Sequence, residues 1–232
     1  MEFAAVGKTA SRPAGCCLST APPLEPARTV WKTEGMLILA SQSAARKALL
    51  QGAGLRFSTS PVQIDERAHE ASVLGKGGTP EAVAIALAEA KALAAANGFR
   101  GTPVIGADQV LALDRDIFHK PADLDAAKAQ LDRLRGRVHR LHSAVALVRD
   151  DTILWSGCET AILTMRAFSP AERDRVLALE GEALLGSVGA YRLEGASVNL
   201  FERIEGDYFT ILGLPLLPLL GALRLHAPEA FE

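Results

Sequence analysis

The chain has 232 residues, of which 49% are hydrophobic and 22% are charged, so it buries a core as one large domain or two small ones. Its formal net charge is -2, from 25 basic and 27 acidic residues, and this balance gives no sign of binding to nucleic acid or to an anionic membrane. Three cysteines, of which Cys16 and Cys17 are adjacent, form neither a disulfide framework nor metal-ligand spacing, so we expect a reducing, cytoplasmic location.

Residues 1–35 differ in composition from the rest of the chain. Four prolines lie among alanine, serine, threonine and glycine without a helical or strand period, which predicts a disordered leader. The apolar core of about 7 to 15 residues that a secretory signal needs is missing, and no later segment has the roughly 20 consecutive apolar residues of a transmembrane helix. Met36 directly precedes the first strand pattern, so the sequence favours translation from Met36, with the leader as an upstream extension.

From Met36 onward the pattern predicts one α/β domain with a single mixed sheet over residues 36–225, followed by a tail over residues 226–232. The expected order is strand, helix, strand-like loop, helix, hairpin, helix, several strands, helix, hairpin and final helix. No internal repeat and no linker interrupts this order.

Polar residues that cap helices indicate where the predicted helices begin. These residues are Ser41 or Ser43 before the first helix, Thr79 before the second and Ser169 before the fourth. Near the end of the chain, residues 200–204 and 208–212 are expected to form the second hairpin around a Glu-Gly-Asp turn.

The clearest buried strand surrounds Asp108. Residues 104–107 form a short apolar run, and a Gly-Ala pair just before Asp108 lets another backbone or a ligand come close. If residues 114–115 form a two-residue loop, cross-strand pairing brings Lys120 roughly opposite Gln109. An acid and a base would then share one sheet edge, and the alternative interpretation is a plain salt bridge beside a hairpin.

A second candidate site is the first strand-to-helix turn. There a strand ends at Ser41, Ser43 follows, and the helix carries Arg46 in its first turn. Free backbone N–H groups, hydroxyls and a guanidinium directed at one point form a site for phosphate. The alternative is an ordinary serine-capped helix with a surface arginine.

Two further charged groups have unusual positions. Lys91 lies four residues after Leu87, on the apolar stripe of its helix, so its ammonium either extends to solvent or reaches into a cleft. Asp65 and Glu66 form a carboxylate pair, expected in a loop, which either holds a divalent ion or is solvated.

Together these motifs resemble the Maf family of nucleoside triphosphate pyrophosphatases. The resemblance covers nearly all of residues 36–224, and because many separate motifs occur in the right order it is specific. The matching positions are Ser41, Ser43 and Arg46, then Asp65 and Glu66, Lys91, 106–108, 119–121, 189–191, Glu194 with Gly195, 201–206 and 213–215.

The resemblance implies a homodimeric α/β fold of the Maf or inosine triphosphatase type, with a central cleft. It also implies a nucleoside triphosphate substrate, cleaved into monophosphate and pyrophosphate, and a divalent metal cation, Mg²⁺ or Mn²⁺. Such hydrolysis needs cations around the phosphates and a base that orients water. The implied roles are phosphate binding by Ser41, Ser43 and Arg46, catalysis by Asp108, Lys91 and Lys120, and metal binding by Glu66 and Asp108.

Three positions bear on which base is bound. Where the commoner pyrimidine-directed pattern has Arg, Thr and Gln, this chain has Ala45, Gln109 and Glu194. The last two are similar to a subgroup that resembles 7-methyl-GTP pyrophosphatases, whereas Ala45 matches neither pattern, because that subgroup has a tryptophan there. The resemblance therefore favours 7-methyl-GTP or another modified nucleotide. The alternatives are dTTP and UTP hydrolysis, or a nucleotide-binding regulator of septum formation.

Overall fold

The computed structural model describes residues 37–232, so the predicted leader at residues 1–35 and the start at Met36 lie outside the described residues. The strands are β1 (Leu37–Leu39), β2 (Phe57–Thr59), β3 (Pro103–Leu113), β4 (Asp116–Phe118), β5 (Val138–Arg149), β6 (Thr152–Met165) and β7 (Phe201–Glu205). The α-helices are α1 (Ala44–Gly52), α2 (Glu66–Gly75), α3 (Pro80–Ala96), α4 (Leu124–Leu134), α5 (Pro170–Glu180), α6 (Tyr208–Ile211) and α7 (Leu216–His226). Short 3-10 helices occupy Gly181–Gly186, Ala196–Leu200 and Pro228–Phe231.

The strands form one mixed sheet in the order β2-β1-β3-β5-β6-β7, with β4 also paired to β3. Strand β1 runs parallel to β2 and β3, whereas the pairs β3–β4, β3–β5, β5–β6 and β6–β7 are antiparallel. This architecture confirms the predicted α/β fold with a single mixed sheet. No helix within residues 37–232 has the length and apolar character needed to cross a membrane.

A gap in the strand pairing of β3 creates the opening for a site. On one side β3 pairs along its length with β5. On the other side it pairs with β1 only at Val104 and Ile105, and with β4 only from Leu111 onward. Asp108 lies between these two short ladders, where β3 has no neighbouring strand on the side away from β5.

Helices cover both faces of the sheet, because side chains alternate between the faces and those of β3 are buried on both. On one face the alanine-rich helix α3 packs against Ile38, Val104 and Ala146. On the other face α1 and α7 pack against Leu39 and Ile105, and α4 and α5 cover the far part of the same strands. Asp108 shares its parity with Val104 and therefore faces α3.

Gly106 lets α3 approach β3 at backbone distance, and the Gly106→Ala substitution tests this contact. A Cβ there would lie 2.2 Å from the Ala88 carbonyl oxygen and 2.6 Å from the Ala92 backbone nitrogen. We expect a loss of about 1 to 3 kcal/mol in unfolding free energy, or a Tm lower by roughly 3 to 10 °C, measured by calorimetry. Gly221→Ala on α7, where no atom lies within 4 Å, is the matched control and should not lower Tm. An unchanged Tm for Gly106→Ala would contradict this packing.

The structure corrects two expectations. Glu66 does not lie in a loop: it is the first residue of α2, because the Asp65 carboxylate caps that helix by accepting from Ala68 N. Residues 208–212 do not form the second arm of a hairpin. Asp207 accepts hydrogen bonds from the backbone and hydroxyl of Thr210, and this cap starts α6 instead.

The first hairpin is confirmed, with Leu113 paired to Asp116 across a two-residue loop. However, β4 ends at Phe118, so Lys120 lies beyond the ladder and is not a strand partner of Gln109.

At the end of the chain, residues 226–232 pack on the domain. Arg149 forms an ion pair with Glu229, and Ala230 is buried.

Candidate active site

A cleft of about 850 Å³ lies over the stretch of β3 that is paired on one side only. Its wall comes from the first turn of α1, from α2 and α3, from the segment after β4, and from residues 183–194. All ten residues to which the resemblance gave a phosphate, catalytic, metal or base-specificity role line it: Ser41, Ser43, Ala45, Arg46, Glu66, Lys91, Asp108, Gln109, Lys120 and Glu194. The predicted central cleft is therefore present.

Lys91 connects two carboxylates in this cleft. Its Nζ lies 2.5 Å from Asp108 Oδ1 and 2.6 Å from Glu66 Oε1. The Lys91 and Asp108 side chains are only 14% and 11% exposed, whereas Glu66 is 56% exposed. Lys91 thus reaches into the cleft rather than out to solvent, because the apolar stripe of α3 packs directly on β3.

The environment shifts the pKa values of the two carboxylates in opposite directions. Burial raises the pKa of Asp108, and the charges of Lys91 and Arg46 offset this only in part. For Glu66, burial acts in the same upward direction, but the hydrogen bond and charge of Lys91 together with the charges of Lys120 and Arg46 outweigh it and lower the pKa. Asp108 is therefore the better proton acceptor of the two, since a higher pKa means greater basicity.

At the start of α1, the hydroxyls of Ser41 and Ser43 accept hydrogen bonds from backbone N–H groups of the same turn. Ser43 Oγ caps the helix by accepting from Arg46 N at 3.3 Å, and Ser41 Oγ accepts from Ser43 N at 3.2 Å. The Arg46 guanidinium donates to the carbonyl oxygens of Gly213 (2.7 Å) and Ala107 (2.8 Å). Arg46 therefore joins α1 to β3 and to the loop after α6, and its side chain still lines the cleft.

Lys120 is exposed at the cleft wall, and its charge contributes to the lowered pKa of Glu66. Near it, His119, which belongs to the matched 119–121 motif but was given no role, forms a polar group with two residues that the sequence interpretation did not single out. Glu70 on α2 lies 3.6 Å from both Arg67 NH1 and His119 Nε2, and Arg67 also contacts His119. The signal that would have found this group is the capped start of α2, which places Glu66 and Glu70 one turn apart.

The three base-specificity candidates have different surroundings. Gln109 Nε2 donates to Ser143 Oγ (2.8 Å) and to two carbonyl oxygens at the end of α6, so its amide nitrogen is used within the protein. Ala45 adds only a methyl group to the cleft wall. Glu194 is 40% exposed and pairs at 3.3 Å with Arg192, a cleft residue that the sequence interpretation missed.

Comparison with known sequences agrees with this geometry. The family described as Maf-like protein matches residues 36–226, which is most of the chain. The chain belongs to the Maf family. Among its relatives is a 7-methyl-GTP pyrophosphatase of Brucella abortus, 51% identical over 188 residues, with 81% of this chain and 94% of the relative covered.

Other relatives in the Maf family are equally similar. A 7-methyl-GTP pyrophosphatase of Rhizobium meliloti is 52% identical, with 82% of this chain and 95% of the relative covered. A nucleoside triphosphate pyrophosphatase of Bradyrhizobium diazoefficiens is 50% identical, with 84% and 96% covered. The name of the Rhizobium relative specifies one substrate, whereas that of the Bradyrhizobium relative specifies only a class of substrates.

Glu66 and Asp108 supply the carboxylate oxygens that a hard divalent cation such as Mg²⁺ prefers as ligands. Residues 37–232 contain no group of three or more His, Cys, Asp or Glu side chains that would hold a metal ion by themselves. Mg²⁺, however, is usually bound by one or two carboxylates together with substrate phosphates. Glu66 and Asp108 are close enough to share one ammonium, so they are also close enough to share one small cation.

Proposed function

We propose that this chain is a nucleoside triphosphate pyrophosphatase that acts on 7-methyl-GTP and yields 7-methyl-GMP and pyrophosphate. The observation that carries the proposal is the Lys91 ammonium, held between Asp108 and Glu66 in a cleft that also contains Arg46 and Lys120. An acid pair beside several cations suits a bound polyanion and an attacking water. The names of the Brucella and Rhizobium relatives support the choice of substrate.

In this mechanism the cationic side chains bind the triphosphate, and Asp108 accepts the proton of the attacking water. Lys91 and Lys120 neutralise phosphate charge, and the first turn of α1 offers backbone N–H groups and the Ser41 hydroxyl. Ser43 acts indirectly, because its hydroxyl is used as the helix cap. Glu66 and Asp108 would hold Mg²⁺ or Mn²⁺, which when bound neutralises phosphate oxygens and lowers the pKa of water.

Two alternatives make different predictions. A dTTP and UTP pyrophosphatase would use the same phosphate site with a different base preference. A nucleotide-binding regulator of septum formation would bind without turnover, and it would not need a buried carboxylate such as Asp108 beside the phosphate site. The homodimer that the family resemblance implies and the cytoplasmic location expected from the cysteine content belong to the same proposal, and light scattering and cell fractionation check them.

A pyrophosphate-release screen of the purified full chain tests the proposal. With Mg²⁺ or Mn²⁺ present, we expect pyrophosphate rather than orthophosphate as product, because cleavage falls between the α and β phosphates. The value of kcat/KM for 7-methyl-GTP should exceed those for UTP and dTTP, and EDTA should abolish turnover. Faster hydrolysis of UTP or dTTP would favour the pyrimidine-directed alternative, and tight nucleotide binding without pyrophosphate release would favour the regulator.

A further inference from the structure

Arg192 and Glu194 lie two residues apart on a tight turn in the cleft wall. The turn closes through a hydrogen bond from Gly195 N to the Arg192 carbonyl oxygen at 3.2 Å. Both side chains line the cleft and are 37% and 40% exposed, so both are accessible to a ligand. The 192–195 turn therefore presents a cation and a carboxylate side by side.

Hydrogen bonds with Ser197, which Glu180 holds in turn, fix the backbone of the 192–195 turn. The Ser197 hydroxyl, which is fully buried, accepts from Arg192 N at 2.8 Å. Glu180 in turn accepts from both the backbone and the hydroxyl of Ser197 at 2.5 Å. At Gly195 an added Cβ would lie 2.6 to 2.7 Å from the Glu180 carboxylate, so the turn rests directly on Glu180. This support pre-organises the two exposed side chains.

The ion pair between them leaves most of their hydrogen-bonding capacity free. Arg192 NH2 lies 3.3 Å from Glu194 Oε1, which is long for a charge-assisted bond. A guanidinium has five N–H donors and a carboxylate has about four acceptor sites, so one long bond satisfies a small part of each. A planar ligand edge with one acceptor beside two donors would complement this pair.

We propose that Arg192 is a second specificity residue, which donates to the 6-oxo group of guanine while Glu194 accepts from the ring N1–H and the 2-amino group. This inference rests on the proposed function and deepens it. Guanine presents acceptor, donor, donor along this edge, in the order that the pair requires. Adenine would place an amino donor against the donors of Arg192, and uracil would place a second carbonyl against the carboxylate of Glu194. Each of these bases would therefore bind less well than guanine.

The test compares GTP with 6-thio-GTP as competitors of 7-methyl-GTP hydrolysis by the full chain. The sulfur atom is a weak acceptor, whereas N1–H and the 2-amino group are kept. For the unchanged protein we expect the inhibition constant of 6-thio-GTP to be about tenfold higher than that of GTP. In Arg192→Met, which keeps an unbranched stem but removes the donors, the two constants should become similar. Arg192→Lys should restore part of the difference.

Inosine triphosphate supplies the control, because it keeps the 6-oxo group and lacks only the 2-amino group. Its inhibition constant relative to GTP should be the same in the Arg192→Met variant and in the unchanged protein. If 7-methyl-GTP is the preferred substrate and the ratio for 6-thio-GTP is unchanged in Arg192→Met, the role of Arg192 is overturned and the proposed function stands. If UTP or dTTP is preferred, the proposed function fails, and the role of Arg192 fails with it.

Discussion

Asp108→Asn is expected to lower kcat for nucleotide hydrolysis by about 10²-fold to 10⁴-fold, the usual contribution of a positioned general base. The substitution removes a proton acceptor and a charge without changing side-chain volume. Asp108 is 8% exposed, faces the gap in the strand pairing, and has a pKa raised by burial, all of which suit proton acceptance. Initial rates of pyrophosphate release at saturating substrate measure the effect, and kcat near the unchanged value would rule out Asp108 as the base.

Asp65→Asn is the matched control for this experiment, because it makes the same chemical change close to the site. Asp65 caps α2 and does not line the cleft. Asparagine caps helices about as well as aspartate, so both activity and Tm should stay near those of the unchanged protein. The Asp108→Asn variant should also keep its Tm within a few degrees, since Lys91 retains its ion pair with Glu66. A loss of kcat with retained Tm separates a chemical role from a structural one.

Elements with local start signals could be predicted from the sequence. Thr79 and Ser169 cap their helices as expected, and the Ser169 cap forms the full reciprocal pair with Glu172. Helix α2 was missed because none of its residues is buried, so it has no apolar stripe to reveal its period. Helix α6 was missed because residues 208–212 form a short, mostly apolar segment, and such a segment fits a strand equally well.

The candidate site likewise has some parts that local sequence patterns predict and others that depend on contacts between distant residues. The position of Lys91 on an apolar stripe and the Gly-Ala pair before Asp108 are local patterns. For Lys91 the pattern left a cleft and solvent as alternatives, and for the Gly-Ala pair it left a ligand and a neighbouring backbone as alternatives. The contact of Arg46 with the Gly213 carbonyl joins positions 167 residues apart, so no local pattern encodes it. The same holds for Glu66, which reaches Lys91 only because α2 packs beside α3. Glu180 supports the 192–195 turn from another helix, and a single sequence gives no signal for that pairing.

Glu194→Gln is expected to reduce the preference for 7-methyl-GTP over UTP by roughly 30-fold to 1000-fold. A carboxylate accepts from the ring N1–H and the 2-amino group of guanine together, whereas a glutamine amide places a donor against one of them. Losing two charge-assisted bonds costs about 2 to 4 kcal/mol, which converts to the stated range. The negative charge also favours a ring made cationic by methylation, so the ratio of 7-methyl-GTP to GTP should fall as well.

The measurement is kcat/KM for 7-methyl-GTP, GTP and UTP with the unchanged protein, Glu194→Gln and the control Glu202→Gln. Glu202 is exposed on β7 and does not line the cleft, so its substitution should leave all three values unchanged. In Glu194→Gln the value for UTP should hold or rise, because a uracil carbonyl no longer meets a negative charge. An equal loss on all three nucleotides would mean that Glu194 supports the cleft and does not discriminate bases. Selectivity would then have to come from other residues of the cleft wall.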